Sequence, residues 1–215
     1  MQENVKLLNE DLQNVSQKAA SYILKTNSVL FDFEEGFTYT SGKKGPVYVD
    51  IRRLISFPEA RSFIMDAAVK YLLSQNLNLD LIAGGETAGI PFAAFIADRL
   101  DLPMIYVRKK PKGVGRMAQI EGVLQENQKT IVVEDLCNFG GSSMTFIEVL
   151  RKSDASCNDA FVIFNYGREQ AKQEFDNKGV KLHALCSWDD IFVQASKSGQ
   201  LNDKQIEIVK ESLNS

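Results

Sequence analysis

The chain has 215 residues, of which 44% are hydrophobic and 25% charged, and its formal net charge is -3. That length and balance suit one globular domain with a sizeable core of its own. The mild acidity argues against nucleic acid or an anionic membrane as the partner, because those partners call for a basic surface. Cys137, Cys157 and Cys186 are widely spaced, with no CxxC pair and no Cys/His cluster, so no zinc site is expected and free thiols point to a reducing compartment. The N-terminal stretch MQENVKLLNEDLQNV lacks the basic start and apolar run of a secretory signal. No segment approaches the ~18 apolar residues of a membrane helix. The expectation is a soluble, cytoplasmic protein.

Apolar residues at mostly helical spacing predict an amphipathic helix over 4–25. Residues 28–57 combine aromatic and β-branched residues with turn signals at Glu35-Gly36, Ser41-Gly42 and Gly45-Pro46, which predicts short strands and loops. Pro58 opens a second helix, since proline costs nothing in a first helical turn. An alternation follows: strand 79–83, helix 88–100, strand 104–107, a long polar loop 108–121, strand 130–133, helix 142–152, strand 160–165, helix 169–177 and strand 180–185. Two short helices near 188–196 and 202–213 close the chain. Repeated strand-helix units with near-continuous apolar strands predict an α/β fold with a central parallel sheet covered on both faces. Ligands in such folds bind outside the carboxyl ends of the strands. Three strand ends therefore matter: 83–89, 108–121 and 134–142.

The third is the most specific. IVVEDLCNFGGSS (131–143) reads as a buried strand, two carboxylates, a short loop and a glycine-serine helix entry. Glycines let backbone amides approach an anion closely, and a helix N-terminus adds unpaired N–H groups and partial positive charge. Gly140, Gly141, Ser142 and Ser143 thus suit a terminal phosphate, while Glu134 and Asp135 suit ribose hydroxyls or the shell of a hard cation. The plain alternative is a turn with capping serines and two solvated acids. No Gly-Lys-Ser/Thr follows, so this is not a Walker loop. AGGETAG (83–89) is a second anion-friendly turn between strand and helix, or simply a glycine-rich helix entry. The loop 108–121 gathers Arg108, Lys109, Lys110, Lys112 and Arg116 among glycines, as a solvated surface or as a cationic cover for an anion. His183 reads as structural, and Cys137 has no visible base to make it a nucleophile.

The strand-acid-glycine pattern resembles the phosphoribosyl diphosphate motif of the type I phosphoribosyltransferases. Within that family the chain resembles the orotate phosphoribosyltransferases through four blocks in order: FTYTSGKKGPVYVDIR (37–52), IAGGETAGIP (82–91), PMIYVRKKPKGVGRMAQIEG (103–122) and VVEDLCNFGGSS (132–143). The resemblance implies the type I phosphoribosyltransferase fold, with a core over about 59–185 and a small hood subdomain from about 1–58 and 186–215. It implies transfer of phosphoribosyl from 5-phosphoribosyl 1-diphosphate to orotate, giving orotidine 5'-monophosphate, in de novo pyrimidine biosynthesis. Lys112, Glu134 and Asp135 fall at catalytic positions. Arg108, Lys109, Gly84, Gly85, Glu86, Thr87, Ala88, Gly89, Asn138, Gly140, Gly141, Ser142 and Ser143 fall at donor-binding positions. Lys44, Tyr48 and Arg168 are the candidates for orotate, although packing in a strand for Tyr48 and a solvated helix start for Arg168 remain open. Magnesium is the implied cofactor, held at Glu134 and Asp135 mostly through the substrate. A homodimer is implied, with loop 108–121 reaching the partner's site. Val114 stands where many relatives have histidine, and Phe139 where threonine or an acid is common. A different acceptor base, or a non-catalytic regulator that binds the donor, would share the same donor site.

Overall fold

The structure, a computed structural model, describes residues 2–39, 42–113 and 118–214, and within them the side chains of residues 12–213. In chain order the elements are α1 (Gln2–Lys25), β1 (Val29–Phe31), β2 (Phe37–Thr38), β3 (Lys44–Gly45), β4 (Val47–Val49), a 3-10 helix (Ile51–Ser56), α2 (Pro58–Ser74), β5 (Leu81–Gly85), α3 (Gly89–Leu100) and β6 (Met104–Val107). Then come β7 (Ile120–Glu121), β8 (Lys129–Cys137), α4 (Gly141–Lys152), β9 (Ser156–Asn165), α5 (Glu169–Asn177), β10 (Lys181–Ser187), α6 (Trp188–Lys197) and α7 (Asp203–Asn214). The chain forms two compact units, Met1–Arg61 with Cys186–Ser215, and Ser62–Leu185.

In the first unit β1 pairs antiparallel with β4, and β2 with β3. The strands are as short as the turn signals predict. Helix α1 packs on α6, and Asp190 ties the two together. One oxygen of its carboxylate accepts from Ser16 Oγ (2.8 Å) and Gln17 Nε2 (2.9 Å). The other closes the capping box at the start of α6 by accepting from the Ser187 amide at 2.9 Å.

The second unit is built on a six-stranded sheet in the order β10-β9-β8-β5-β6-β7. β5 runs parallel to β6 and β8, and β8 parallel to β9, as the strand-helix alternation predicts. Helices cover both faces. A side chain at Gly84 would meet Ile90 and Ala93 of α3, whereas one at the next residue, Gly85, would meet Phe146 of α4. Consecutive strand residues point to opposite faces, so α3 and α4 lie on opposite sides of β5. Ala83, Val107, Val132, Phe146, Ile147 and Phe175 form one buried cluster on the α4 side.

β9 starts at Ser156 instead of residue 160, where Ser156 pairs with Lys129 of β8. Other boundaries also differ from expectation for identifiable reasons. β5 starts at Leu81 instead of Leu79, because Asn76 and Asn78 take left-handed backbone conformations (φ 52° and 49°) that prolong the turn. β8 runs on to Cys137 instead of stopping at Val133. Its ladder with β9 continues through Glu134↔Val162, Leu136↔Phe164 and Cys137↔Asn165, so pairing carries the strand past the end of its apolar run. The loop 108–121 is not open throughout. Its far end is β7, antiparallel to β6, anchored by the buried Ile120. Backbone bonds from Arg108 N–H to Gln119 (2.7 Å) and from Lys112 N–H to Ala118 (2.8 Å) extend that pairing toward the tip.

The junction of β5, α3 and β8 leaves no room for side chains. A Cβ at Gly89 would collide with the carbonyl oxygen of Val133, which is backbone and cannot swing away. Gly89→Ala is therefore expected to destabilise the fold by about 1–3 kcal/mol, read as a lower urea midpoint with an unchanged m-value.

Candidate active site

The site is assembled at the carboxyl ends of β5, β6 and β8 in the second unit. Glu134 lies on β8, on the same face as its neighbour Gly85 of β5 and Phe146 of α4. A Cβ at Gly85 would collide with Glu134 Oε1. Gly85 is thus glycine because the carboxylate occupies the space its side chain would need. Glu134 is only 6% exposed, and its pKa is pushed up to about 8. Desolvation is the main cause and the neighbouring Asp135 carboxylate the second, while Lys109 pulls the other way. Strand alternation sends Asp135 to the other side of β8, where it is half-buried.

The turn at 85–89 meets the start of the cationic loop. The Glu86 amide donates to Val107 O (2.9 Å), and a Glu86 carboxylate oxygen accepts from the Lys109 amide (2.7 Å). The peptide between Glu86 and Thr87 is cis. Lys109 thereby stands at the junction of the two predicted diphosphate elements and acts electrostatically on Glu134. Arg108 is turned into the stem of the loop, with NH1 3.5 Å from Glu121 Oε1. Lys112 is exposed, and Val114 and Arg116 lie outside the described residues.

A cavity of about 350 Å³ opens over residues 136–143. Gly140 takes a left-handed conformation (φ 81°) as the residue before α4, and a Cβ there would press on Phe175 at 2.7 Å. A Cβ at Gly141 would meet nothing within 4 Å. The first residue of α4 thus opens onto space, beside the exposed Ser142 and the buried Ser143. Cys137, 1% exposed, has its thiol pushed up to about 11, first by burial and then by Glu134, which keeps it protonated and inert. Phe139, 52% exposed, lies 4.6 Å from the Arg168 guanidinium, and Asn138 accepts a 2.6 Å hydrogen bond from Arg168 Nε. Arg168 is distant in sequence from Asn138 and Phe139 and meets them because Cys137 and Asn165 end neighbouring strands, a pairing that the apolar run ending at Val133 does not reveal.

Of the other expected residues, Lys44 and Tyr48 belong to the first unit. Lys44 Nζ lies 3.4 Å from Glu35 O, and the half-exposed Tyr48 ring packs on Phe37 at 5.8 Å. His183 is fully buried in the second unit between Asp159 (2.8 Å) and Tyr71 (3.3 Å), a structural role as expected. Among the described residues no group of three or more His, Cys, Asp or Glu side chains could hold a metal.

The fold and this site define a phosphoribosyltransferase, and the family model of the phosphoribosyl transferase domain matches residues 58–197. The chain is 44% identical over 207 residues to a protein of Dinoroseobacter shibae named orotate phosphoribosyltransferase, covering 95% of this chain and 92% of that one. It is likewise 44% identical over 202 residues to one of the same name from Agrobacterium fabrum, covering 93% and 87%. The crystal structure of orotate phosphoribosyltransferase from Aeropyrum pernix superposes with a TM-score of 0.72 at 30% identity, covering 85% of this chain and 99% of that one. The chain belongs to the orotate phosphoribosyltransferase family.

The Glu134 environment has a measurable consequence. At neutral pH the folded carboxyl is protonated, whereas in the unfolded chain, at its ordinary 4.5, it is ionised. Folding therefore takes up a proton, and the contribution to stability falls as pH rises from 4.5 through about 8, then levels off. Urea unfolding of the ligand-free protein and of Glu134→Gln should diverge across that window, with the wild type losing ground to the variant. Parallel curves would mean that Glu134 is ionised in the folded protein.

Proposed function

We propose that this site transfers the phosphoribosyl group of 5-phosphoribosyl 1-diphosphate to orotate, and that Glu134, Asp135, Lys109 and Lys112 carry the step. A ring nitrogen of orotate bonds to the anomeric carbon as the bond to the diphosphate oxygen breaks, giving orotidine 5'-monophosphate, the precursor of UMP in de novo pyrimidine biosynthesis, and free diphosphate. The observation that carries the assignment is the continuity of β8: one strand bears the acid pair and runs directly into the glycine-serine entry of α4.

In this reading the amides of 140–143 and the Ser142 hydroxyl receive the 5'-phosphate, supported by the open space above Gly141. Glu134 and Asp135 hold the ribose hydroxyls. The negative charge of Asp135, joined by that of Glu134 once the donor and its cation displace the carboxyl proton, favours the positive character that builds at the anomeric carbon, as in glycoside cleavage. The turn from Gly84 through Gly85, Glu86, Thr87 and Ala88 to Gly89 holds the diphosphate through its backbone, with Lys109 and Arg108 beside it. Lys112 neutralises the leaving group as its charge develops, where such an interaction has most effect. Lys44, Tyr48 and Arg168 serve the acceptor.

The acid pair suits magnesium carried by the substrate. Alternation separates the two carboxylates, so they do not form a ready-made chelate, and magnesium ordinarily keeps waters and substrate oxygens in its shell. Glu134 and Asp135 would hold it mostly through the ribose hydroxyls. When bound, it supplies Lewis-acid neutralisation of the diphosphate. No helix among the described residues is long and apolar enough to cross a membrane, and we assign the reaction to the cytoplasm.

Mixing the protein with orotate, donor and magnesium should give a magnesium-dependent loss of orotate absorbance. Lys112→Ala should lower kcat by about 10²–10³-fold with donor affinity retained by calorimetry. Donor binding without turnover in the unmodified protein would instead indicate a regulator, and diphosphate release with a purine but not orotate a different acceptor.

We further propose a homodimer in which loop 108–121 serves the partner's site. Mixing Lys112→Ala with Asp135→Asn and allowing subunits to exchange should then restore activity to about a quarter of the unmodified level, because half of the dimers regain one intact site. A mixture no more active than its components would place each loop at its own site.

A further inference from the structure

Arg168 has an unusually well-defined setting for a residue at a helix start. The ends of β8 and β9 lie side by side, with Cys137 opposite Asn165 and the Tyr166 amide donating to Cys137 O at 2.9 Å. Gly167 then turns the chain with φ 71°, and Arg168 precedes α5 in an extended conformation. That path returns the Arg168 side chain to the segment following β8. Its Nε donates to Asn138 Oδ1 at 2.6 Å, its guanidinium carbon lies 4.6 Å from the centre of the Phe139 ring, and Tyr166 lies within 6.0 Å. Asn138 and Phe139 both line the cavity over the glycine-serine loop.

These contacts act on different freedoms of one planar group. Contact of the guanidinium with the face of the phenyl ring at 4.6 Å limits its tilt. The bond at Nε fixes its rotation within that plane, and with it the direction of the NH1/NH2 edge, the edge that meets carboxylates bidentately. Arginine otherwise carries large side-chain entropy that must be lost on binding an anion. A half-exposed phenyl ring on a phosphate loop has no hydrogen-bonding use there; the cation stacked on it supplies its role.

We propose that Asn138 and Phe139, which line the cavity, are positioning residues that hold the Arg168 guanidinium beside them in the orientation that receives the acceptor's carboxylate. The proposal rests on the reading that Arg168 serves that carboxylate. It makes Phe139, which stands where threonine or an acid is common, a specificity element for a carboxylated pyrimidine.

Steady-state kinetics on the full chain separates the two claims. Phe139→Leu keeps an apolar side chain at an exposed position but removes the π face, and it should raise the KM for orotate about 2–5-fold while leaving the KM for the donor unchanged. Phe139→Tyr, which keeps the face, should restore the orotate KM. In an Arg168→Ala background the Phe139→Leu change should add nothing, because its effect passes through the arginine. Thermal midpoints of all variants confirm that folded protein is being compared. A shift in the donor KM, or an effect on orotate that persists without Arg168, would overturn the positioning role. If Arg168→Ala alone left the orotate KM untouched, the acceptor reading of Arg168 would fail. If it raised that KM while Phe139→Leu was silent, only the positioning role would fail.

Discussion

The site depends on one close approach: the Glu134 carboxylate lying in the space left by the missing side chain of Gly85. Two neighbouring strands of a parallel sheet place their side chains in register, so an acid on β8 competes for volume with whatever β5 carries beside it. Glycine on β5 removes the competitor, and Phe146 of α4 closes the remaining side. The carboxylate is consequently held in a place with little water, which is costly for a charge unless something compensates. Asp135 aggravates the cost and Lys109 relieves part of it. A donor bringing hydroxyls and a cation would complete the compensation, so the arrangement is one that a ligand stabilises.

Lys109 is in turn placed by Glu86, whose carboxylate accepts from its amide. This bond ties the turn after β5 to the first residues of the cationic loop. Farther out, the loop is held as a hairpin by β7 and by the Arg108–Gln119 and Lys112–Ala118 backbone bonds. The two diphosphate elements expected from the sequence are therefore one mechanical unit at their base. The order of the parts follows from topology: β5, β6 and β8 are consecutive in the sheet, and their carboxyl ends deliver the turn, the loop and the acid pair to one edge.

The sequence made much of this readable. The apolar runs located β6 and α5 at their observed ends, because strong periodicity and flanking turn residues agreed there. The four ordered blocks were enough to indicate the family. Other features depended on pairing between segments distant in sequence. The continuation of β8 through two acids is stabilised by β9, and no local propensity favours Glu134 or Asp135 in a strand. β7 is two residues long and exists because Ile120 finds the core. The glycines of 84–89 read equally well as an anion cradle or as a packing requirement. The structure gives Gly84, Gly85 and Gly89 the second reason without removing the first, since backbone that is packed this tightly has little freedom left to lose when it meets a ligand.

Phe139 shows why a departure from a family pattern cannot be judged one position at a time. Taken alone, replacing a hydrogen-bonding side chain with a phenyl ring subtracts one contact from a phosphate. In the fold, the ring leaves Gly141, the first residue of α4, open on the side where a Cβ would stand. What the ring changes is its other neighbour. The cation at the start of α5 gains a flat surface and an acceptor at Asn138 that together constrain its orientation. Three unusual residues in a row, Cys137, Asn138 and Phe139, then have separate physical accounts: a buried thiol that belongs to the core cluster, an amide that orients a guanidinium, and a ring that supports it.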